Sequence, residues 1–294
     1  FQSLRPGDHI LAPDDVYHGT RTFITQFMSH WGLEYSFVDM TDFEQIRQHT
    51  RDHTRLIWVE TPSNPLLKIT DISQAAEWGR QNNILLAVDN TWATPINLKP
   101  LDLGADLVVH STTKYLGGHS DILGGCVIVR RDADIAPNIR SIQQMAGAVP
   151  SPDDCWMMRR SIGTLPYRMQ AHNEHAAALA DWLQQDGRIE AVYYPGLPSH
   201  PGHAIAKEQM NDFGGMISFQ YTGDADAGKK IVTSSRLIAP ATSLGGIEST
   251  WEHRRSSEHD DSTTPHNLIR ISVGLEHIDD LKSDIDSALS VLSQ

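Results

Sequence analysis

Short apolar runs recur through the first half of the chain. His9–Pro13, Tyr35–Val38, Leu56–Glu60, Ile84–Asp89, Leu107–His110 and Cys126–Arg130 have the length and β-branched content of buried strands. Between several of them the apolar positions change to a helical period, most clearly in Asp71–Gln81. There Ile72, Ala75, Ala76 and Gly79 share one face, with Thr70 or Asp71 available as N-cap. Strand–helix–strand alternation predicts a mostly parallel sheet covered by helices. In such sheets ligands gather beyond the carboxyl ends of the strands, so reactive side chains are sought there.

The turn-rich stretch Pro150-Ser151-Pro152-Asp153-Asp154 breaks this rhythm. A long amphipathic pattern follows over about Arg168–Gln185, then a loop rich in Pro, Gly and His over Pro195–His203. Strand-like runs at Met216–Tyr221, Arg236–Ala239 and Leu268–Val273 and a closing helix around Asp279–Leu292 complete the chain. The expected α/β organisation is a large domain over residues 1–160 and a smaller C-terminal α/β domain over 161–294. The polar segment Glu252–His266 is long for a structureless loop and reads as either functional or mobile.

Composition narrows the function classes. The 294 residues are 39% hydrophobic and 21% charged, a globular balance, and the formal charge of −13 argues against nucleic acid or an anionic membrane as partner. No run approaches the 18 apolar residues of a membrane-spanning helix. Cys126 and Cys155 form no CxxC pair, which disfavours a disulfide framework or thiolate zinc and fits a reducing cytoplasm. His253, His259, Asp260, Asp261 and His266 match no zinc spacing, so no metal is expected. Met157, Met158 and Met169 read as core filler. The opening Phe1-Gln2-Ser3-Leu4-Arg5-Pro6-Gly7-Asp8 has neither an initiator methionine nor a signal pattern, and suggests a fragment whose preceding helix is cut through.

Two predicted strand ends carry chemistry. One apolar run closes on Asp89, and the other leads through Ser111-Thr112-Thr113 to Lys114, one of only seven lysines, followed by Tyr115-Leu116-Gly117-Gly118. A lysine at its ordinary value near 10.4 is a poor nucleophile, but partial desolvation lowers it and permits a Schiff base with a carbonyl. Ser111 and Thr113 offer hydroxyls to a phosphate, and Asp89 a carboxylate to a pyridine nitrogen, which is the set pyridoxal phosphate requires. Taken singly, Lys114 reads more readily as a surface lysine and Asp89 as a cap. A P-loop is excluded by glycine spacing.

Ala87-Val88-Asp89-Asn90-Thr91 and Ser111-Thr112-Thr113-Lys114-Tyr115-Leu116-Gly117-Gly118-His119-Ser120-Asp121 resemble the cofactor signature of the Cys/Met-metabolism pyridoxal-phosphate enzymes. That family comprises cystathionine γ-synthase, cystathionine β- and γ-lyases and methionine γ-lyase. The resemblance continues through Glu60-Thr61-Pro62-Ser63-Asn64-Pro65, Tyr194-Pro195-Gly196-Leu197, Gly214–Phe219, Ser243–Ser249 and Leu268–Glu276, nearly end to end. It implies the fold of the type I pyridoxal-phosphate transferases and assigns roles position by position. Lys114 matches the Schiff-base lysine that later moves protons at the substrate Cα, and Asp89 the pyridinium partner. Ser111 and Thr113 match phosphate ligands. Tyr17 matches a tyrosine that stacks on the ring and assists proton transfer. Arg270 matches the clamp for the substrate α-carboxylate, with Asn64 beside it, and Ser243 a residue that positions the lysine.

The resemblance further implies a small amino-acid substrate, a homotetramer and a place in transsulfuration, within cysteine metabolism and methionine biosynthesis. Its expected activity is carbon–sulfur elimination of the cystathionine β-/γ-lyase type. The alternatives are γ-replacement on an O-acylhomoserine by cysteine, or a truncated inactive homologue. Family synthases and γ-lyases commonly carry a glutamate just before Ser-Leu-Gly-Gly, where this chain has Thr242, which cannot neutralise a distal ammonium. Family members also have earlier sequence carrying a phosphate-binding turn and residues that enter a neighbouring subunit's site. A chain truly starting at Phe1 is expected to bind cofactor weakly.

Overall fold

The computed structural model describes residues 1–131, 134–257 and 264–293. Six strands form the first sheet: β1 (His9–Pro13), β2 (Glu34–Val38), β3 (Thr54–Glu60), β4 (Leu85–Asp89), β5 (Leu107–Ser111) and β6 (Gly125–Val129). Their spatial order is β2-β1-β3-β4-β5-β6, all parallel except β6, which pairs antiparallel with β5. Along β1, β3 and β4 the buried side chains alternate between two cores, as pleating requires. Leu11, Ile57, Val59, Leu86 and Val88 join one core. Ile10, Ala12, Leu56, Trp58 and Ala87 join the other. The helix Ile72–Asn82 covers the first of these faces with Ile72, Ala75, Ala76 and Gly79, and Asp71 caps it by accepting the Gln74 amide. It ends on Asn83 in the left-handed region.

The second sheet holds β7 (Ile189–Tyr193), β8 (Met216–Tyr221), β9 (Ala239–Pro240), β10 (Thr250–His253) and β11 (Leu268–Ser272), in the order β7-β8-β11-β10-β9. Only the β9–β10 pair is parallel. Ile217, Phe219, Tyr221, Trp251, Ile269 and Ile271 pack with the helices Leu165–Leu183 and Ile278–Leu289 into a core of their own. The residues alternating with them, Ser218, Arg270 and Glu252, are buried on the opposite face, which meets the first sheet.

Several expectations shift. The turn-rich 150–154 stretch is a helix start: Ser151 accepts the Asp154 amide and Pro152 opens the helix Pro152–Ile162. The run expected as strand over Arg236–Ala239 pairs only at Ala239–Pro240. The Asp284 carboxylate takes the Arg236 and Leu237 amides and Ser235 Oγ takes that of Ile238, which draws this backbone away from a ladder. The long polar segment starts as β10. His253 binds Ser256 and the His266 carbonyl, whereas His259, Asp260 and Asp261 lie outside the described residues. Met169 is core, but Met157 and Met158 are only half-buried and Cys155 is exposed. Among the described residues no helix is long and apolar enough to cross a membrane.

Candidate active site

The carboxyl ends of four adjacent strands, β1, β3, β4 and β5, deliver side chains to one place. A cavity of about 400 Å³ opens there against the inner face of the second sheet. Tyr17, Asn64, Asp89, Ser111, Thr113, Lys114, Ser243 and Arg270 all line it, joined by Glu60, Thr91, Trp92, Thr242 and Arg254. A wider groove of about 750 Å³ at the opposite edge, beside Glu77, Arg80 and Arg130, contains none of the candidates.

Lys114 follows β5 within a tight turn, Thr112–Leu116, and its own backbone departs from helical geometry at φ −92° and ψ −135°. Its Nζ donates to Ser243 Oγ at 3.3 Å. Burial, and then the Arg270 guanidinium, hold this amine below the ordinary lysine value, with Glu252 opposing. Asp89 closes β4. Its Oδ1 accepts the Thr91 hydroxyl at 2.6 Å and the Thr91 amide at 3.0 Å. Among the described residues no hydrogen bond reaches Oδ2. Burial raises the carboxyl above its ordinary value, with the two Thr91 donors opposing.

Thr91 also accepts the Ser111 amide at 2.9 Å, tying the end of β5 to the Asp89 carboxylate. The Thr113 hydroxyl engages Gly124, accepting its amide at 3.0 Å and donating to its carbonyl at 3.4 Å. Tyr17 precedes the helical turn His18–Thr22 and donates its amide to Glu60 Oε2 at 2.8 Å, while its side chain is half-exposed.

Arg270 is 3% exposed and held in the wall through both Nη atoms. It donates to Asn64 Oδ1 at 2.9 Å and the Thr242 carbonyl at 2.6 Å, and pairs with Glu252 Oε1 at 2.5 Å. Glu252 stands opposite Arg270 in the β10–β11 ladder and also holds Arg254 at 3.0 Å. Thr91 and Glu252 escape a reading of the sequence alone. A hydroxyl two residues after a strand-ending aspartate was a signal for Thr91. Glu252 declares itself only once the strand pairing is known.

A desolvated amine, a carboxylate with one oxygen outside the Thr91 hydrogen bonds, strand-end hydroxyls and a buried guanidinium suit a ring nitrogen, an aldehyde, a phosphate and an amino-acid carboxylate. The class this defines is a pyridoxal-phosphate-dependent enzyme of α/β fold.

Comparison narrows the class. The profile of the Cys/Met metabolism PLP-dependent enzymes matches residues 1–290. The chain belongs to that family, and its cofactor is pyridoxal phosphate. It is 44% identical over 292 residues to the cystathionine gamma-synthase of Mycobacterium leprae, covering 98% of this chain and 75% of that protein. It is also 44% identical over 300 residues to the cystathionine beta-lyase of Coxiella burnetii, covering 98% and 77%. The crystal structure of cystathionine gamma-lyase from Lactobacillus plantarum complexed with L-serine superposes with a TM-score of 0.95 at 37% identity, covering 100% of this chain and 78% of that one.

Proposed function

We propose that this protein is a carbon–sulfur lyase that eliminates a thiol from a sulfur amino acid of the cystathionine type. The observation that carries the reading is the Lys114 amine held by Ser243 in the same cavity as Asp89 and Arg270. Pyridoxal phosphate supplies an electron sink for the negative charge left when the substrate loses its Cα proton. Asp89 Oδ2 would hold the ring nitrogen, Ser111 and Thr113 the phosphate, and Tyr17 one face of the ring. Arg270 offers a planar fork to the substrate α-carboxylate, and the Asn64 carboxamide fixes that fork in place. Lys114 Nζ, neutral over a wider pH range than an exposed lysine, would take the proton from Cα and hand it on to the departing thiolate.

A relative named as a beta-lyase and one named as a gamma-synthase stand at equal identity, so γ-replacement on an O-acylhomoserine is the second reading. The experiment supplies cystathionine alone, then O-succinylhomoserine with cysteine, and identifies the products. Homocysteine or cysteine released with a 2-oxo acid supports the lyase. Cystathionine formed from the second mixture refutes it in favour of the synthase. Failure to bind pyridoxal phosphate at all marks an inactive homologue.

The same reading carries the domain division at 160/161, a cytoplasmic location and a homo-oligomer, a tetramer by family resemblance. Exposed Trp31 (63%), Tyr167 (77%) and Met145 (86%) support self-association. Light scattering coupled to size exclusion tests it, and a monomer at micromolar concentration refutes it.

A further inference from the structure

The sheet sets three carboxyl groups side by side. Glu60 ends β3 directly opposite Asp89 on β4 in the parallel register, and Asp15 follows β1 on the other flank. Glu60 is 5% exposed and touches the same cavity as Asp89. Neighbouring carboxylates taken out of water cannot both stay charged without strong compensation, so the donors around each decide which keeps the proton.

Those donors are unequal. Asp89 receives two, the hydroxyl and the amide of Thr91. Among the described residues Glu60 receives one, the Tyr17 amide. Asp15 accepts the Ser63 hydroxyl and lies near Lys68, which pairs with Asp14 and Asp39. Arg254 also faces Glu60 from beyond β10 and pairs with Glu252, itself shared with Arg270. Hydrogen bonds to a carboxylate favour its charged form, so the anion settles on Asp89 and the proton on Glu60.

We propose that Glu60 is a positioning residue standing in its neutral acid form, so that Asp89 remains the anion beneath the cofactor ring while Glu60 Oε2 anchors the Tyr17 backbone. The inference deepens the pyridoxal-phosphate reading and rests on it. Burial first, then the Asp89 charge, push the Glu60 carboxyl well above the usual carboxylate range, in agreement with the geometry. The neutral acid avoids a second charge beside Asp89. Its Tyr17 contact fixes where the stacking ring begins.

The test is infrared spectroscopy of the wild-type protein and Glu60→Gln, with and without pyridoxal phosphate, alongside cofactor titration. At pH 7 the wild type should show a protonated-carboxyl carbonyl band that Glu60→Gln lacks. Glu60→Gln keeps an acceptor for the Tyr17 amide and should bind the cofactor within about threefold of wild type. Glu60→Ala should lose about tenfold or more. In Asp89→Asn the band should titrate at lower pH, because the neighbouring charge is gone. A purely structural Glu60 would leave that titration unmoved.

No band difference at pH 7 overturns the proposal. So does a tenfold loss of affinity in Glu60→Gln at an unchanged melting temperature, since Glu60 would then act as an anion. The band is readable in protein without cofactor, so it decides even if Glu60→Ala fails to fold. A wild type that binds no pyridoxal phosphate would instead end the functional reading while leaving the band to be judged.

Discussion

Replacing Thr91 by valine probes the site through a residue to which the sequence motif assigns no role. Valine keeps the side-chain volume and removes the hydroxyl, deleting two hydrogen bonds at once. One is the 2.6 Å donation to Asp89 Oδ1, and the other is the acceptor for the Ser111 amide at 2.9 Å. A hydrogen bond to a charged partner contributes roughly 1.5–3 kcal/mol, and an amide left without an acceptor costs about 1–3 kcal/mol. Thr91 and Ser111 are only partly buried, so the low end of each range applies. The two losses separate by assay. The stranded amide weakens the folded protein by about 1 kcal/mol, read as a lower melting temperature of the apo form. The lost donation weakens the Asp89 anion, so pyridoxal phosphate binds about tenfold less tightly, followed by its visible absorption on titration. The remaining Thr91 amide bond to Asp89 at 3.0 Å limits the damage. Thr91→Ser restores the hydroxyl and should return both quantities to within about threefold in affinity. Cofactor affinity and melting temperature both unchanged in Thr91→Val would refute the coupling of the β4 and β5 ends through this hydroxyl.

Arg270→Lys removes the planar fork while keeping the charge. It should raise KM for the amino-acid substrate by about tenfold or more and leave cofactor absorption in place, and an unchanged KM would remove Arg270 from carboxylate binding. Asp15→Asn tests the carboxyl row. Burial, set against Ser63 and Lys68, raises Asp15 from 3.8 to about 6, so the folded protein holds this proton longer than the unfolded chain does. Its penalty is absent below pH 3.8, grows as pH rises towards 6 and is complete above that. The stability of Asp15→Asn relative to wild type should therefore increase between pH 4 and 7, by at most about 3 kcal/mol, and a flat difference in urea titrations rejects the shift. Gly245→Ala places a Cβ 2.6 Å from the Tyr115 amide at φ +76°, beside the Lys114 turn. It should cost about 2 kcal/mol or more and release cofactor; a melting temperature equal to wild type would contradict the packing.

Much of the architecture is legible because local and global preferences agree. His9–Pro13 and Met216–Tyr221 are strands at the expected bounds, and the Ile72–Asn82 helix buries the four residues its periodicity selects. The eight candidate side chains meet in one cavity because nearly all stand at or just beyond strand ends, where the chain leaves the sheet. The misses have particular causes. Ile189–Tyr193 carries Glu190 and is at best half-buried, so its pattern is too polar to announce a strand. Pro152 reads as a breaker and acts as the first residue of a helix. Asp284, far along the chain, takes the amides that Arg236 and Leu237 would have given to a strand. Glu60 looks like the opening of a motif, and its adjacency to Asp89 exists only in the register of β3 against β4.

Register also joins the site to the second sheet's stability. In β11 Ile269 and Ile271 point into the core while Arg270 points to the cavity, with Glu252 directly across from it on β10. Side chains alternate with period two, so a slip of one residue would exchange the faces. It would drive the guanidinium into a hydrophobic core and present isoleucines to the substrate carboxylate. The same apolar burial that holds the sheet therefore specifies the clamp, and the Arg270 pairs with Glu252 and Asn64 satisfy a charge that burial would otherwise make costly. Substrate recognition and core packing in this half of the molecule are set by one choice of strand pairing. Substitutions that enlarge or shrink Ile269 or Ile271 are accordingly expected to disturb carboxylate binding without touching the cavity.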